Sequence, residues 1–195
     1  LAFGIVCAVL EARTSGKGQV VDAAVLDGAA LLTSIVCELR ALGLWRDQRQ
    51  TNLLDGGSHF YDTYECADGR WVSIGALEPQ FYALLLQKLG LDQDPDFARQ
   101  RDPAAWPALK AKITALFRTQ PAAHWCALME NTDVCFAPVL TTAEAAVHPH
   151  NVARATFFES EGVVQPSPAP RFSRTPAARP APAPFIGEHD EEWLA

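Results

Sequence analysis

Residues 69–91, GRWVSIGALEPQFYALLLQKLGL, leave the chain few folds to choose from. A short run of aromatic and β-branched residues from Trp71 to Ile74 is closed by Gly75, the pattern of a buried strand. Phe81, Leu84, Leu85 and Leu89 then recur at helical spacing, and Gly90 stands where a left-handed residue ends a helix. Leu77-Glu78-Pro79 lies between them. Proline suits the first turn of a helix and drives the residue before it out of the α region. Glu78 is therefore expected at the N-cap, where strand hands over to helix and the helix dipole favours a carboxylate. On chemistry alone, capping that helix is role enough for it.

The rest of the chain is consistent with α/β layers. Residues 1–14 read as a buried helix, Ser15-Gly16-Lys17-Gly18 as its end, and residues 19–25 as a strand. The GKG is not a phosphate loop, because it follows a helix and lacks the GxxxxGK[ST] spacing. Residues 26–44 read as one long helix, apolar almost all round its first half and so buried or clasped by another chain. NLLDGG (52–57) is a turn cluster, and residues 62–66 lead through the turn 67–70 into the strand at Trp71. Residues 92–105 form a polar loop with a short helix near Phe97. Helices are expected over 106–117 and 122–129, the second with Thr119 as candidate cap, and an edge strand over 134–139, interrupted by Pro138. Thr141 and Glu144 have the spacing of a capping box for a short helix ending near His148-Pro149.

Residues 166–184 hold seven prolines, which suits an extended connector or a disordered tail rather than a packed core. Phe185, Ile186, Trp193 and Leu194 suggest that the chain docks again at its end. Leu1 opens straight into LAFGIVCAVLEA without an initiator Met, an N-cap or a signal-peptide pattern, as if a helix were entered in mid-course and the true chain began earlier.

An apolar content of 49% over 195 residues is ample for one domain or two small ones. The net charge of −7, without any basic block, makes nucleic acid and anionic membrane poor partners. The longest apolar stretches fall far short of the roughly 20 residues that cross a bilayer. Cys7, Cys37, Cys66, Cys126 and Cys135 are widely spaced, odd in number and form no CxxC. Reduced, mostly buried thiols in a cytoplasmic protein are expected.

Few clusters suggest chemistry by themselves. His148 and His150 bracket Pro149 without a third ligand, so no metal site is expected. No GxSxG elbow occurs. Asp55, Asp62, Glu65 and Asp68 could form paired carboxylates or a cation site, although Asp55 and Asp68 adjoin glycines as turn residues do.

YDTYECADGRWVSIGALEPQFYALL, at residues 61–85, resembles the small-domain signature of the α-methylacyl-CoA racemases, members of the class III CoA-transferase superfamily. SGKGQVVDAAVLDG, NLLDGGSHFYDTYECADG, DVCFAPVL and PAPFIGEHDEEWL fit the same pattern in the same order, so the likeness covers almost the whole chain. It implies an α/β fold of the class III CoA-transferase kind: a small α/β domain plus parts of a Rossmann-like large domain, in an interlocked homodimer. Residues 1–25 would end a large-domain part, 26–61 form a linker helix and loop, and 62–147 the small domain. Residues 148–184 would be a Pro-rich return linker and 185–195 a segment rejoining the large domain.

The resemblance also implies epimerisation of 2-methylacyl-CoA thioesters through an enolate-like intermediate. That chemistry needs an acid/base group on each side of the α-carbon. By analogy one is a histidine partnered by the glutamate matching Glu78, and the other an aspartate; the family places both upstream of Leu1. Leu54, Tyr61 and Leu77 match positions that line the acyl pocket, and His59 is a candidate for the pocket rim, although the family requires no histidine there. Coenzyme A would enter as part of the substrate, with no metal and no other cofactor. The alternatives are a CoA-transferase of the same superfamily, working through an aspartyl nucleophile, and a catalytically inactive segment that serves folding or dimer contacts.

Overall fold

The computed structural model describes residues 1–189, in two units that divide between Ala137 and Pro138. In the first unit, strands β1 (Tyr61–Glu65), β2 (Trp71–Gly75) and β3 (Phe136–Pro138) form a sheet in that order. β1 and β2 are an antiparallel hairpin with Tyr61 opposite Gly75 and Tyr64 opposite Val72. Its turn depends on Gly69, at a φ of 74°. Side chains alternate across the strands, so Tyr64, Val72 and Ile74 are buried while Tyr61 and Trp71 face outward. β2 is thus half-buried, not wholly buried as its apolar run suggests.

Helices α4 (Pro79–Leu89), α5 (Trp106–Phe117) and α6 (Ala122–Met129) cover the buried side. α4 turns Tyr82, Leu85, Leu86 and Leu89 inward, one step round from the expected stripe; Phe81 and Leu84 are only partly buried. It ends at Gly90 in left-handed geometry, φ 68°. Phe117 of α5 stacks on Tyr64 at 5.2 Å, and Trp125 of α6 donates its indole N–H to the Phe117 carbonyl at 3.0 Å. Residues near Phe97 form a 3-10 turn, Pro95–Arg99. The core extends from Phe60 to Val134.

The N-terminal stretch departs from expectation. α1 (Ala2–Ser15), α2 (Val25–Leu32) and α3 (Ser34–Ala41) contain no buried residue. The helix expected over 26–44 breaks at Thr33, whose hydroxyl donates to the Ala30 carbonyl at 2.9 Å. Residues 19–24 form no strand. β-branched residues favour extended backbone, but a strand exists only where a second one accepts its hydrogen bonds, and none among the described residues lies alongside. Nor does Thr119 cap α6: its hydroxyl turns back to Leu116, and Pro121 holds the N-cap. Of the five thiols only Cys66 is buried; Cys7, Cys37 and Cys135 are exposed.

In the second unit, Thr141 and Glu144 make the reciprocal capping box of α7 (Thr142–Val147). α8 (Pro149–Ala153) and a hairpin of β4 (Phe157–Ser160) and β5 (Val163–Pro166) follow; sequence patterning did not indicate them. The hairpin turns through Glu161 and Gly162, both at positive φ. Residues 167–184 carry neither helix nor strand, and Phe185 and Ile186 are exposed. Trp193 and Leu194 lie outside the described residues.

Candidate functional site

NLLDGG is a built loop rather than a simple turn. Asn52 is buried; its side-chain oxygen accepts from the Arg46 amide at 2.8 Å, and its amide nitrogen donates to the Arg46 carbonyl at 2.9 Å and to Asp55 Oδ2 at 2.7 Å. Asp55 Oδ1 accepts from the backbone N–H groups of Asn52 and Gly57. Burial alone raises the Asp55 pKa, but the hydrogen bonds from Asn52, Gly57 and Thr51 outweigh it and hold the carboxyl below its ordinary range. Gly57 has no room for a side chain, since a Cβ there would stand 2.6 Å from the Asn52 carbonyl oxygen. Lys110, on α5, donates to the Gly56 carbonyl at 2.6 Å and pairs with Asp62, so it fastens the loop to β1.

The acidic cluster of the sequence is thereby dispersed. Asp62 is taken by Lys110, Glu65 pairs with Arg118 at 2.7 Å, and Asp68 accepts from the Ala122 amide at the start of α6. These are structural pairings, not two carboxylates facing one reacting atom. Among the described residues no group of three or more His, Cys, Asp or Glu could hold a metal ion.

Between the loop and the outward face of the sheet lies a cavity of about 460 Å³ whose apolar wall includes Leu54, Tyr61 and Phe136. That volume falls within the range of small-molecule sites, roughly 300–1,000 Å³. The Tyr61 ring lies across Gly75, where a Cβ would stand 3.5 Å from Cε2. Leu54 and Tyr61 thus share one cavity. Leu77 and Glu78 do not line it.

The backbone carries the cavity wall on to Glu78. Gly75 donates to the Cys135 carbonyl at 2.9 Å, and a tight turn follows in which Leu77 N–H donates to the Gly75 carbonyl at 2.8 Å. Leu77 is half-buried and Glu78 exposed. Glu78 occupies the N-cap of α4 in extended geometry, φ −79° and ψ 146°, followed by Pro79 at N1. Its carboxylate makes no capping hydrogen bond. Cys135, on the cavity wall, has its thiol pKa raised by burial first and by the Glu78 charge second, with Asp133 adding to both.

His59 is not at a rim. It is fully buried among Phe60, Tyr82 and Phe97, with ring centroids 5.1, 5.6 and 5.8 Å away. Tyr82 Oη donates to the Phe97 carbonyl at 3.0 Å, so it accepts from His59 Nε2 at 2.8 Å. This defines the tautomer: Nε2 carries the proton and Nδ1 is a buried acceptor without a hydrogen-bond partner. Burial lowers the His59 pKa from 6.5 to about 4, so the ring is neutral near pH 7.

Two further side chains act on the turn before Glu78. Gln100 Nε2 donates to the carbonyls of Ala76 and Leu77 at 3.3 and 3.2 Å, and Arg101 Nη2 to Leu77 at 2.7 Å. Both belong to a stretch that reads as polar loop, and nothing in its spacing pointed to the turn. Tyr82 stands one helical turn after Glu78, a spacing that could have drawn notice.

Residues 1–190 match CoA-transferase family III. The chain belongs to this family. It is 45% identical over 194 residues to alpha-methylacyl-CoA racemase of Mus musculus, an alignment covering 98% of this chain and 51% of the mouse protein. The Homo sapiens protein of the same name is 44% identical over 195 residues, covering 99% and 51%. Succinyl-CoA–D-citramalate CoA-transferase of Chloroflexus aurantiacus is 31% identical over 206 residues, covering 98% of this chain and 50% of that protein. The chain therefore spans about half the length of the curated relatives it matches.

Solved structures agree on the family III fold. Rv3272 of Mycobacterium tuberculosis superposes with a TM-score of 0.74 at 20% identity, covering 98% of this chain and 51% of that one. A CAIB/BAIF family protein of Brucella suis gives 0.74 at 21% identity, covering 97% and 51%. The family III fold that the sequence motifs imply is the fold observed.

Proposed function

We propose that this chain supplies the small-domain side of an α-methylacyl-CoA racemase. The reading rests on identity of 44–45% along essentially the whole chain to proteins of that name; an uncapped Glu78 and a cavity walled by Leu54 and Tyr61 support it.

The thioester of a 2-methylacyl-CoA acidifies its α-carbon. A base on one face removes the proton, the carbonyl oxygen takes up negative charge, and an acid on the other face returns a proton. The acyl chain lies against Leu54 and Tyr61, with Leu77 at the approach to Glu78. Glu78 orients a histidine from the remainder of the protein and stabilises its charged form, and an aspartate from the same region serves the opposite face. No metal or redox chemistry is required. The partner chain is a second copy in an interlocked dimer, which would cover α1, α2 and α3, where Phe3, Leu26 and Leu32 are each more than three-quarters exposed. Five free cysteines suit the reducing cytoplasm.

The test is made on the full-length protein with (2R)- and (2S)-2-methylacyl-CoA in deuterated water. Deuterium should enter at the α-carbon with loss of stereochemistry. CoA transfer to a free carboxylic acid without α-exchange would assign the chain to the transferases of the family, which the 31% identity to the Chloroflexus enzyme keeps as the second reading.

A further inference from the structure

We propose that Tyr82 and Gln100 are positioning residues that brace Glu78 from both sides. The proposal rests on the reading of Glu78 as the partner of a catalytic histidine. Glu78 is exposed and lacks a capping bond, so the place of its carboxylate is set by its backbone. That backbone lies just past the end of β2, where Ala76 and Leu77 have left the ladder and their carbonyls need other donors.

The stretch 97–101 supplies them. Gln100 reaches both carbonyls at 3.2–3.3 Å, and its own carbonyl is fixed by the Trp106 indole N–H at 2.8 Å. On the other side of Glu78, the Tyr82 amide donates to the Glu78 carbonyl at 3.0 Å, closing the first turn of α4. The Tyr82 hydroxyl is tied in turn to Phe97, and His59 donates to it from the loop that carries Leu54. One short stretch thus holds the backbone before Glu78 and the helical turn after it. It also joins both to the loop forming the acyl wall. The consequence is that catalytic geometry, more than substrate affinity, depends on these two side chains. A misplacement of about 1 Å at a reacting group costs on the order of 10²-fold in rate.

In the full-length protein, Tyr82→Phe removes the hydroxyl and keeps the ring, Gln100→Met removes the donor and keeps the bulk, and Gln100→Lys restores a donor. Tyr82→Phe and Gln100→Met should each lower kcat for α-proton exchange about tenfold or more, with KM within about twofold because Leu54 and Tyr61 are untouched. Gln100→Lys should recover most of the lost kcat. A second readout needs no activity: the alkylation rate of Cys135, followed on its own peptide by mass spectrometry. Glu78→Gln should speed that alkylation by removing the neighbouring charge, and the two brace variants should shift it in the same direction as the carboxylate drifts.

Wild-type kcat in both brace variants would overturn the proposal. So would Cys135 rates that respond to Glu78→Gln but ignore both brace variants. If the wild-type protein exchanges no α-proton, the racemase reading fails, and the Cys135 rates of the brace variants alone decide whether Tyr82 and Gln100 hold Glu78 in place.

Discussion

His59 donates its Nε2 proton to the hydroxyl of Tyr82 at 2.8 Å, in a core where its other ring nitrogen has no partner. The pair joins the loop that carries Leu54 to the first turns of α4. It also makes the first unit sensitive to acid.

The folded His59 has its pKa lowered by burial to about 4, against 6.5 when unfolded. Below pH 6.5 the unfolded chain takes up a proton that the folded one refuses. Stability is therefore full above 6.5 and declines as pH falls toward 4, by about 3 kcal/mol in all. Asp55, whose pKa is depressed, adds its own loss only below the ordinary carboxylate range. Urea midpoints measured from pH 7 to pH 4 should show this slope, and His59→Gln, which keeps a donor for Tyr82, should flatten it.

Glu78→Gln separates catalysis from capping. The carboxylate makes no cap, so the folded stability should change by less than about 0.5 kcal/mol. The α-proton exchange of the full-length protein should fall by about two orders of magnitude, the scale of a lost acid–base group. Thermal melts and exchange rates on one preparation test both halves; a large loss of stability with normal exchange would make Glu78 a structural residue.

Gly57→Ala should damage the loop that carries Leu54. The added methyl would meet the Asn52 backbone at 2.6–2.7 Å, and backbone cannot turn aside as a flexible side chain can. A loss of about 2 kcal/mol or more is expected, the scale of forced overpacking. Differential scanning calorimetry reads it directly.

Gly75→Val should alter acyl preference rather than chemistry. Its Cβ would stand 3.5 Å from the Tyr61 ring, and the branch methyls would press that ring into the cavity. KM for long or branched acyl-CoA should rise several-fold while kcat for a short acyl chain holds, the pattern of lost uniform binding. Equal effects on both substrates would count against the cavity as the acyl site.

Leu26→Asp and Leu32→Asp, each on an exposed apolar position of α2, should weaken the proposed dimer. Light scattering of the full-length protein should show dissociation at micromolar concentration. An unchanged dimer would mean that these helices are covered by something other than the partner copy.

Sequence alone determined the features whose causes lie within a few residues. Pro79 and the β-branched run before it put Glu78 at a strand-to-helix junction, Gly90 ended that helix in left-handed geometry, and Thr141 with Glu144 closed a capping box. Helices over 106–117 and 122–129 were legible for the same reason, because their hydrogen bonds close locally.

Tertiary structure decided whatever depends on partners far along the chain. Among the described residues, 19–24 have strand composition but no neighbouring strand, and the apolar residues of α1, α2 and α3 stay exposed. His59 stands beside glycines in a loop, yet packing drew it into an aromatic core. Leu54 and Tyr61 came to one cavity while Leu77 stayed outside it. Gln100 and Arg101, from an unremarkable polar loop, reached the carbonyls before Glu78. A cap or a turn is set by its own backbone, but a contact across twenty residues or more exists only once the chain has closed on itself, and no local pattern encodes which side chain arrives there.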